Sequence, residues 1–403
     1  MLILSRTVPN PFFPPVARPY YLTKFYAPKI SVTLVSPYVI MHETALPEEV
    51  NFETSLISTF KNPYLRFLNS VSSRLTLTNL RYARDFYVAR TYHPSFQKLI
   101  VKVLSKESFD IVYADSYLLS YLFRLKLLGF IKVPTILEFF APPLYEFHQY
   151  LKFGNILNRL TYFFGYLLHR LFVVRRYKHF DGGIYVSNTH LKLSRPFVPR
   201  KCFVIPPGVD TEYFKPPDIN LTAPVILFTG NMSHPPNVSA VLWFYYNIYS
   251  YIKQEIPDVK FYIVGRDPNP RVRKLNSDKS VIVTGRVEDV RPYFAKASVF
   301  VNPIILDDGG IKTKVLEAMA MGKPVVSTPL GVRDLGVTDG KNVVIAKNER
   351  DFAEKVIELL KDENERQRFG REARKFVEEN YSWEKQSKIL YETLKFMVEE
   401  AKR

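Results

Sequence analysis

Short apolar runs alternate with amphipathic stretches along this chain, and the alternation predicts its architecture. Val299–Leu306 is a continuous apolar run of strand length, Asp307-Asp308-Gly309-Gly310 a tight turn, and Ile311–Met321 a helix closed by Gly322 and Pro324. Pro324-Val325-Val326 opens the next strand. The same order recurs through the back half, with strands at 225–232, 261–266, 281–287 and 342–346 and a helix at 238–244. Two amphipathic helices at 350–360 and 363–379 follow, then a last helix running to Lys402 whose charges alternate in sign. In the front half, strands are expected at 1–9, 31–35, 109–113, 134–137 and 182–187, with a helix at 96–104. Prolines 9, 11, 14, 15 and 19 predict a stiff, irregular loop after the first strand. Strand-helix-strand order implies an α/β fold with parallel sheets.

Length divides this pattern into two domains. A chain of 403 residues is long for one core, so the expected division is 1–204, a linker at 205–217, a second Rossmann-like domain at 218–380, and a closing segment at 381–403. The single cysteine, Cys202, permits neither an internal disulfide nor a cysteine-based metal site, and a reducing, cytoplasmic setting follows by default. No stretch has the pattern of a signal peptide or of a spanning helix.

Charge adds a partner. The net charge is +17, and residues 1–200 hold 25 Lys and Arg against 11 Asp and Glu. Residues 147–180 contain no acidic residue and six cations interleaved with leucines and aromatics. That composition suits an interfacial helix on an anionic membrane surface, a cleft for a pyrophosphate-linked lipid acceptor, or plain packing with a solvated edge. No recognition motif for nucleic acid accompanies the charge.

The 309–317 stretch carries the candidate chemistry. Amide N–H groups at a helix start have no internal partner and sit at the positive end of the helix dipole, and two glycines allow close approach of a phosphate. Lys312 and Lys314 add charge at that place. Glu317 stands about 10 Å further along the axis, at about 1.5 Å per residue, where its carboxylate would accept hydrogen bonds from two ribose hydroxyls. The competing view is an ordinary α/β unit with solvated lysines.

GGIKTKVLEAMAMGKPVVST (309–328) resembles the nucleotide-sugar segment of the family 4 retaining glycosyltransferases, which have the GT-B fold. The family signature is two glutamates separated by seven residues ahead of an EAMA-G-PV run. Glu317 matches the second, and Gly309 stands where the first would contact the donor sugar. The GG-I-K-x-K variant resembles a branch linked to exopolysaccharide and surface-glycan synthesis. The resemblance implies two facing Rossmann-like domains, with the acceptor in the first, the donor in the second, and the closing helix crossing back. It further implies hexose transfer from a nucleoside diphosphate sugar to a lipid-linked or glycan acceptor, with retention; no pair of histidines or carboxylates has metal-ligand spacing on a helix, so no metal and no cofactor are expected.

Site residues follow from strand ends, where ligands of open parallel sheets gather. Asp115, Ser116 and Glu138 end front-half strands. Glu138 is nominated to stabilise the reacting sugar or orient an acceptor hydroxyl, against the alternative of a strand-end carboxylate paired to an Arg or Lys. Lys312 and Lys314, with the amides near Gly309, Gly310 and Ile311, would stabilise charge on the departing phosphate. Gly230 and Asn231 end one back-half strand, and Arg266 and Arg286 each follow a strand-ending glycine. Arg286 and Val287 would lie beside the base, Asp308 near sugar hydroxyls, and Glu317 on the ribose. An epimerase or phosphorylase on the same fold, or a catalytically silent binding protein, remains open at this point.

Overall fold

The computed structural model describes residues 1–5, 14–26, 29–36, 50–54, 94–140, 163, 174–195, 198–216, 224–306 and 309–403. The chain divides into two compact units, Met1–Pro206 with Gln386–Arg403, and Pro207–Lys385.

The first unit is a seven-stranded parallel sheet of β1 (Leu2–Leu4), β2 (Val32–Ser36), β3 (Val50–Thr54), β4 (Val112–Asp115), β5 (Thr135–Phe139), β6 (Gly182–Tyr185) and β7 (Lys201–Val204). Its order is β3-β2-β1-β4-β5-β6-β7, so direction of winding reverses between β1 and β4. Both faces are covered, which is why its strands read as apolar runs without alternation. Leu2, Leu4, Val112 and Leu137 pack on helices α2 (Pro94–Lys106) and α3 (Leu119–Leu127), through Phe96, Ile100 and Leu122. Ile3, Leu34, Tyr113 and Ile136 face the other way, onto Leu22 and onto Leu390, Leu394 and Met397 of the last helix.

One expectation changes here. The proline-rich stretch is helical from Pro14 to Tyr26 (α1) rather than a loop. Pro14 and Pro15 occupy its first turn, where backbone N–H groups lack helical partners anyway, and Pro19 removes one internal bond. Burial of Ala17, Tyr21 and Leu22 offsets that loss. The division between the units, at Pro206/Pro207, falls inside the expected linker 205–217. Ile205 donates its N–H to Tyr185 in the first unit, whereas Val209 donates to Tyr381 and accepts from Trp383 in the second. Of residues 147–180, the description covers Phe163 and 174–180, where Val174–His179 is a 3₁₀ turn. The interfacial helix expected there otherwise lies outside the described residues, as do Asp307 and Asp308.

The second unit has a six-stranded parallel sheet: β8 (Val225–Thr229), β9 (Lys260–Val264), β10 (Val281–Gly285), β11 (Val299–Asn302), β12 (Val325–Ser327) and β13 (Val344–Ile345), ordered β10-β9-β8-β11-β12-β13. After a short helix α4 (Asn188–Ser194) in the first unit, the helices of the second unit are α5 (Pro235–Phe244), α6 (Ser250–Glu255), α7 (Pro270–Lys274), α8 (Arg291–Lys296), α9 (Thr313–Ala320), α10 (Glu349–Lys361) and α11 (Glu363–Tyr381), and the last helix, α12 (Trp383–Ala401), belongs from Gln386 to the first unit. Ile226, Phe228 and Phe261 pack against α5 and α10, and Leu227, Phe300 and Val325 against α9 and α11. Arg374 of α11 donates to Ala320 at 2.5 Å and to Phe214 at 3.1 Å, placing a cation at the negative end of α9. The α/β class and the two parallel sheets expected from the sequence are both present.

Candidate nucleotide-sugar site

The switch point of the second sheet lies between β8 and β11, and the strand ends there are built on glycine. Gly230, Gly265 and Gly285 follow or end β8, β9 and β10 with φ of 152°, 149° and 71°. The first two turns nest closely, because a Cβ on Gly265 would stand 1.8 Å from the Gly230 carbonyl oxygen. Gly230 donates to Val264 at 3.0 Å, Met232 to Arg266 at 2.9 Å, and Gly265 to Gly285 at 3.2 Å. Only residues without a Cβ allow backbones this near.

Above this edge stands the start of α9. Gly309 has φ 76°, in the left-handed region, and the chain turns there into Lys312, the N-cap, whose side chain cannot accept a hydrogen bond from the helix. No acidic residue occupies the first turn of the helix. Lys312 is buried, and its Nζ donates to the Gly310 carbonyl at 2.8 Å. Lys314 reaches toward β8. Its Nζ donates to Asn237 Oδ1 at 2.6 Å and stands 4.0 Å from the centroid of the Phe228 ring. Asn237 in turn donates to the Asn231 carbonyl at 2.9 Å. This asparagine clips Lys314 to the Gly230–Asn231 turn, and sequence reasoning missed it. Its sole signal was an amide in the first turn of a helix that opens with two prolines.

Glu317 lies one turn beyond Lys314 and is half-buried. Burial pushes its carboxyl up to about 7, with the Lys314 charge opposing. No hydrogen bond reaches that carboxylate among the described residues. A carboxyl placed so is ready for hydroxyl donors from a ligand.

A second polar group, also unforeseen, holds the loops on either side. Asn302 ends β11 fully buried, and its Nδ2 donates to Ser327 Oγ at 3.2 Å and to the Gly331 carbonyl at 2.9 Å. Thr328 Oγ1 donates to Ile304 at 2.6 Å. These bonds fix where the chain leaves β11 on its way to Gly309.

The remaining nominees are dispersed. Asn231 uses its side-chain oxygen on Ser233, accepting from N at 3.0 Å and from Oγ at 2.8 Å, so its side chain shapes the turn. Arg266 is mostly exposed beside Asp267, with Nε 3.7 Å from the carboxylate. Arg286 is exposed, while Val287 and Ile311 pack against the apolar layer under α9. Among the described residues, no His, Cys, Asp or Glu group has a metal-holding arrangement.

Glu138 ends β5 in the first unit, 2% exposed, with Oε1 2.6 Å from Arg18 Nε and Oε2 accepting from Tyr113 OH. Arg18, 1% exposed, also donates to Ile205 at 2.7 Å. Burial raises the Glu138 carboxyl against the opposing Arg18 charge. Both of its oxygens are occupied inside the unit, as the alternative of a strand-end carboxylate paired to an Arg expects. Asp115, its register partner, and Ser116 are buried beside it at the end of β4.

Comparison with known proteins agrees with this geometry. Residues 223–362 match the family described as glycosyl transferases group 1. An uncharacterized protein in the cps region of Klebsiella pneumoniae is 29% identical over 168 residues, 40% of this chain and 43% of that one. A GDP-mannose-dependent monoacylated phosphatidylinositol monomannoside mannosyltransferase of Corynebacterium glutamicum is 33% identical over 139 residues, 32% of this chain and 36% of that one. The chain thus spans less than half the length of these curated relatives. Among solved structures, a sucrose-phosphate synthase of Thermosynechococcus elongatus superposes with TM-score 0.70 at 13% identity, covering 98% of both chains. Anabaena HepE in complex with UDP and glucose gives 0.65 at 14% identity, covering 98% of this chain and 99% of that one. Part of the second unit, residues 223–362, is thus similar to the group 1 glycosyl transferases, and the chain as a whole has the GT-B fold.

Proposed function

We propose that the protein transfers a hexose from a nucleoside diphosphate sugar to a lipid-linked or glycan acceptor, with retention at the anomeric carbon and without a metal or cofactor. The observation that carries this reading is the convergence of the Gly309–Gly310 turn, Lys312, Lys314 and the half-buried Glu317 over the glycine-built ends of β8 and β9. HepE, a neighbour in fold, was solved with UDP and glucose, and the Corynebacterium relative uses GDP-mannose, which supports a nucleotide sugar as the donor. Retention and the surface-glycan branch rest on the 309–328 resemblance.

In this reading the departing β-phosphate oxygen gains charge in the transition state, and the amides of Gly310 and Ile311 with the two ammonium groups meet it preorganised. Lys314 is held for this by Asn237 and Phe228. Glu317 accepts from the ribose hydroxyls and ionises on doing so. The same reading places the protein at the inner face of the cell membrane, where a lipid-borne acceptor is found. A catalytically silent nucleotide-binding role is the second reading, favoured by Gly309 at the first glutamate position and by the closure of Glu138.

Calorimetry with UDP, GDP and ADP tests the donor site. One nucleotide is expected to bind, with a loss of about 1.5–3 kcal/mol in Glu317→Ala, the range for charge-assisted hydrogen bonds. Absence of binding at millimolar nucleotide would remove the proposal. Binding without transfer to any acceptor or water would leave the silent reading.

A further inference from the structure

The end of α3 exposes three large apolar side chains within four residues. Leu127, Leu128 and Phe130 are 64%, 57% and 48% exposed, whereas Ile131 beside them is 3% exposed. The turn is built rather than loose. Leu128 donates to Arg124 at 3.0 Å, Gly129 to Lys126 at 3.1 Å and Phe130 to Leu125 at 3.0 Å, with Gly129 at φ 75°. A Cβ on Gly129 would meet nothing within 4 Å, so the turn projects into open space. A lone exposed leucine is ordinary, but three on one projecting turn form a patch.

Among the described residues, the charge around the patch is predominantly positive. Residues 119–132 and 174–181 pack side by side, with the Arg176 guanidinium 5.2 Å from the centroid of the Phe123 ring and Phe123 against His179 at 5.0 Å. Together they hold six Lys and Arg and one carboxylate, Asp181, which is held by Lys126 at 2.5 Å and by the Thr135 N–H at 2.9 Å. Arg124, Lys132, Arg175, Lys178 and His179 are exposed. Glu107 and Asp110 face the neighbouring start of β4, where they lie near the Met1 ammonium, and Asp110 pairs with Lys402 at 3.3 Å.

We propose that this tip is a membrane-docking site, seating Leu127, Leu128 and Phe130 in the headgroup boundary of an anionic phospholipid bilayer while the surrounding cations meet lipid phosphates. Apolar insertion and charge attraction act together in such a site, and neither alone gives stable binding. A projecting apolar turn fits a fluid interface, which closes around it. Protein interfaces, by contrast, are depleted of lysine at their core. The tip lies at the amino ends of β4, β5 and β6, about one strand length from their carboxyl ends, roughly 16 Å for five residues. Docking therefore leaves the carboxyl edge clear of the bilayer. The inference rests on the membrane part of the proposed function, but it assigns the apolar contact to residues 127–130, outside the basic stretch 147–180, whose end at 174–180 supplies part of the charge.

Flotation with phosphatidylcholine vesicles, with and without phosphatidylglycerol, tests it in the full chain. Wild type is expected to float with the anionic vesicles only and to be released by salt. The triple variant Leu127→Ser, Leu128→Ser, Phe130→Ser should lose at least about tenfold in partitioning, since insertion scales with buried apolar area, while keeping its thermal transition and nucleotide binding. Phe130→Trp should float like wild type and add a blue-shifted emission, absent from wild type, that brominated lipid quenches. If wild type floats and the triple variant floats equally, the tip is refuted and the membrane reading stands on other residues. If wild type floats with no vesicle, both fall. An unshifted added emission from the vesicle-bound Phe130→Trp variant also refutes the tip.

Discussion

Glu317→Gln should stabilise the protein at neutral pH while weakening its nucleotide binding. In the folded chain burial lifts this carboxyl from 4.5 to about 7, whereas in the unfolded chain it returns to the ordinary value. Below about 4.5 both states are protonated and the group is neutral toward stability. Between about 4.5 and 7 the unfolded state releases its proton and the folded state does not, so stability falls as pH rises and the full cost is present above 7. At about 1.4 kcal/mol per pH unit the ceiling is about 3 kcal/mol. A half-buried carboxylate keeps part of its hydration, so about 1–2 kcal/mol is the expected value. Glutamine never ionises, so the variant should exceed wild type by that amount at pH 7.5 and match it near pH 4.5. Both tryptophans, Trp243 and Trp383, lie in the second unit, so their fluorescence in urea reports the unfolding of the unit that holds Glu317. A difference that is the same at both pH values would refute the reasoning. So would a variant that gains stability and binds nucleotide as well as wild type, because the strained carboxyl would then serve no ligand.

Two further outcomes follow from buried charges. Glu138→Gln or Arg18→Met should cost about 3–5 kcal/mol in urea unfolding by leaving one buried charge alone, with nucleotide binding in the second unit retained. A well-folded Glu138→Gln protein that binds donor but no longer transfers would restore Glu138 as a reacting group. Lys323 is buried with its Nζ on the Ala295 carbonyl at 3.1 Å, and burial lowers its ammonium from 10.5 to about 8. Its folded form loses the proton first, so stability should rise between about pH 8 and 10.5. Lys323→Met should abolish that rise, and a wild-type curve that is flat there would contradict the assignment.

Local pattern determined much of this protein. The apolar runs of β8 to β12, the glycines that end three of those strands and the turn into α9 were all readable, because each depends on residues a few positions apart. The EAMA-G-PV run pointed to the family for the same reason. Prolines at 14, 15 and 19 misled, since a helix start tolerates what a helix interior resists, and only the sheet against which Leu22 packs decided between them. The division near 206 falls inside the linker read at 205–217, but the side that each residue joins depends on which β-strand or helix it bonds to. Side-chain partnership lay furthest from the sequence. Lys314 meets Asn237 across 77 positions, Asn302 meets Gly331 across 29, and Arg18 meets Glu138 from the far side of β1 and β4. A carboxylate at a strand end looks the same in a sequence whether it faces a substrate or a buried arginine. Only the tertiary structure, by placing α1 over the end of β5, made Glu138 a partner of the core, and by bringing α9 to the edge of β8, set Lys314 on Asn237.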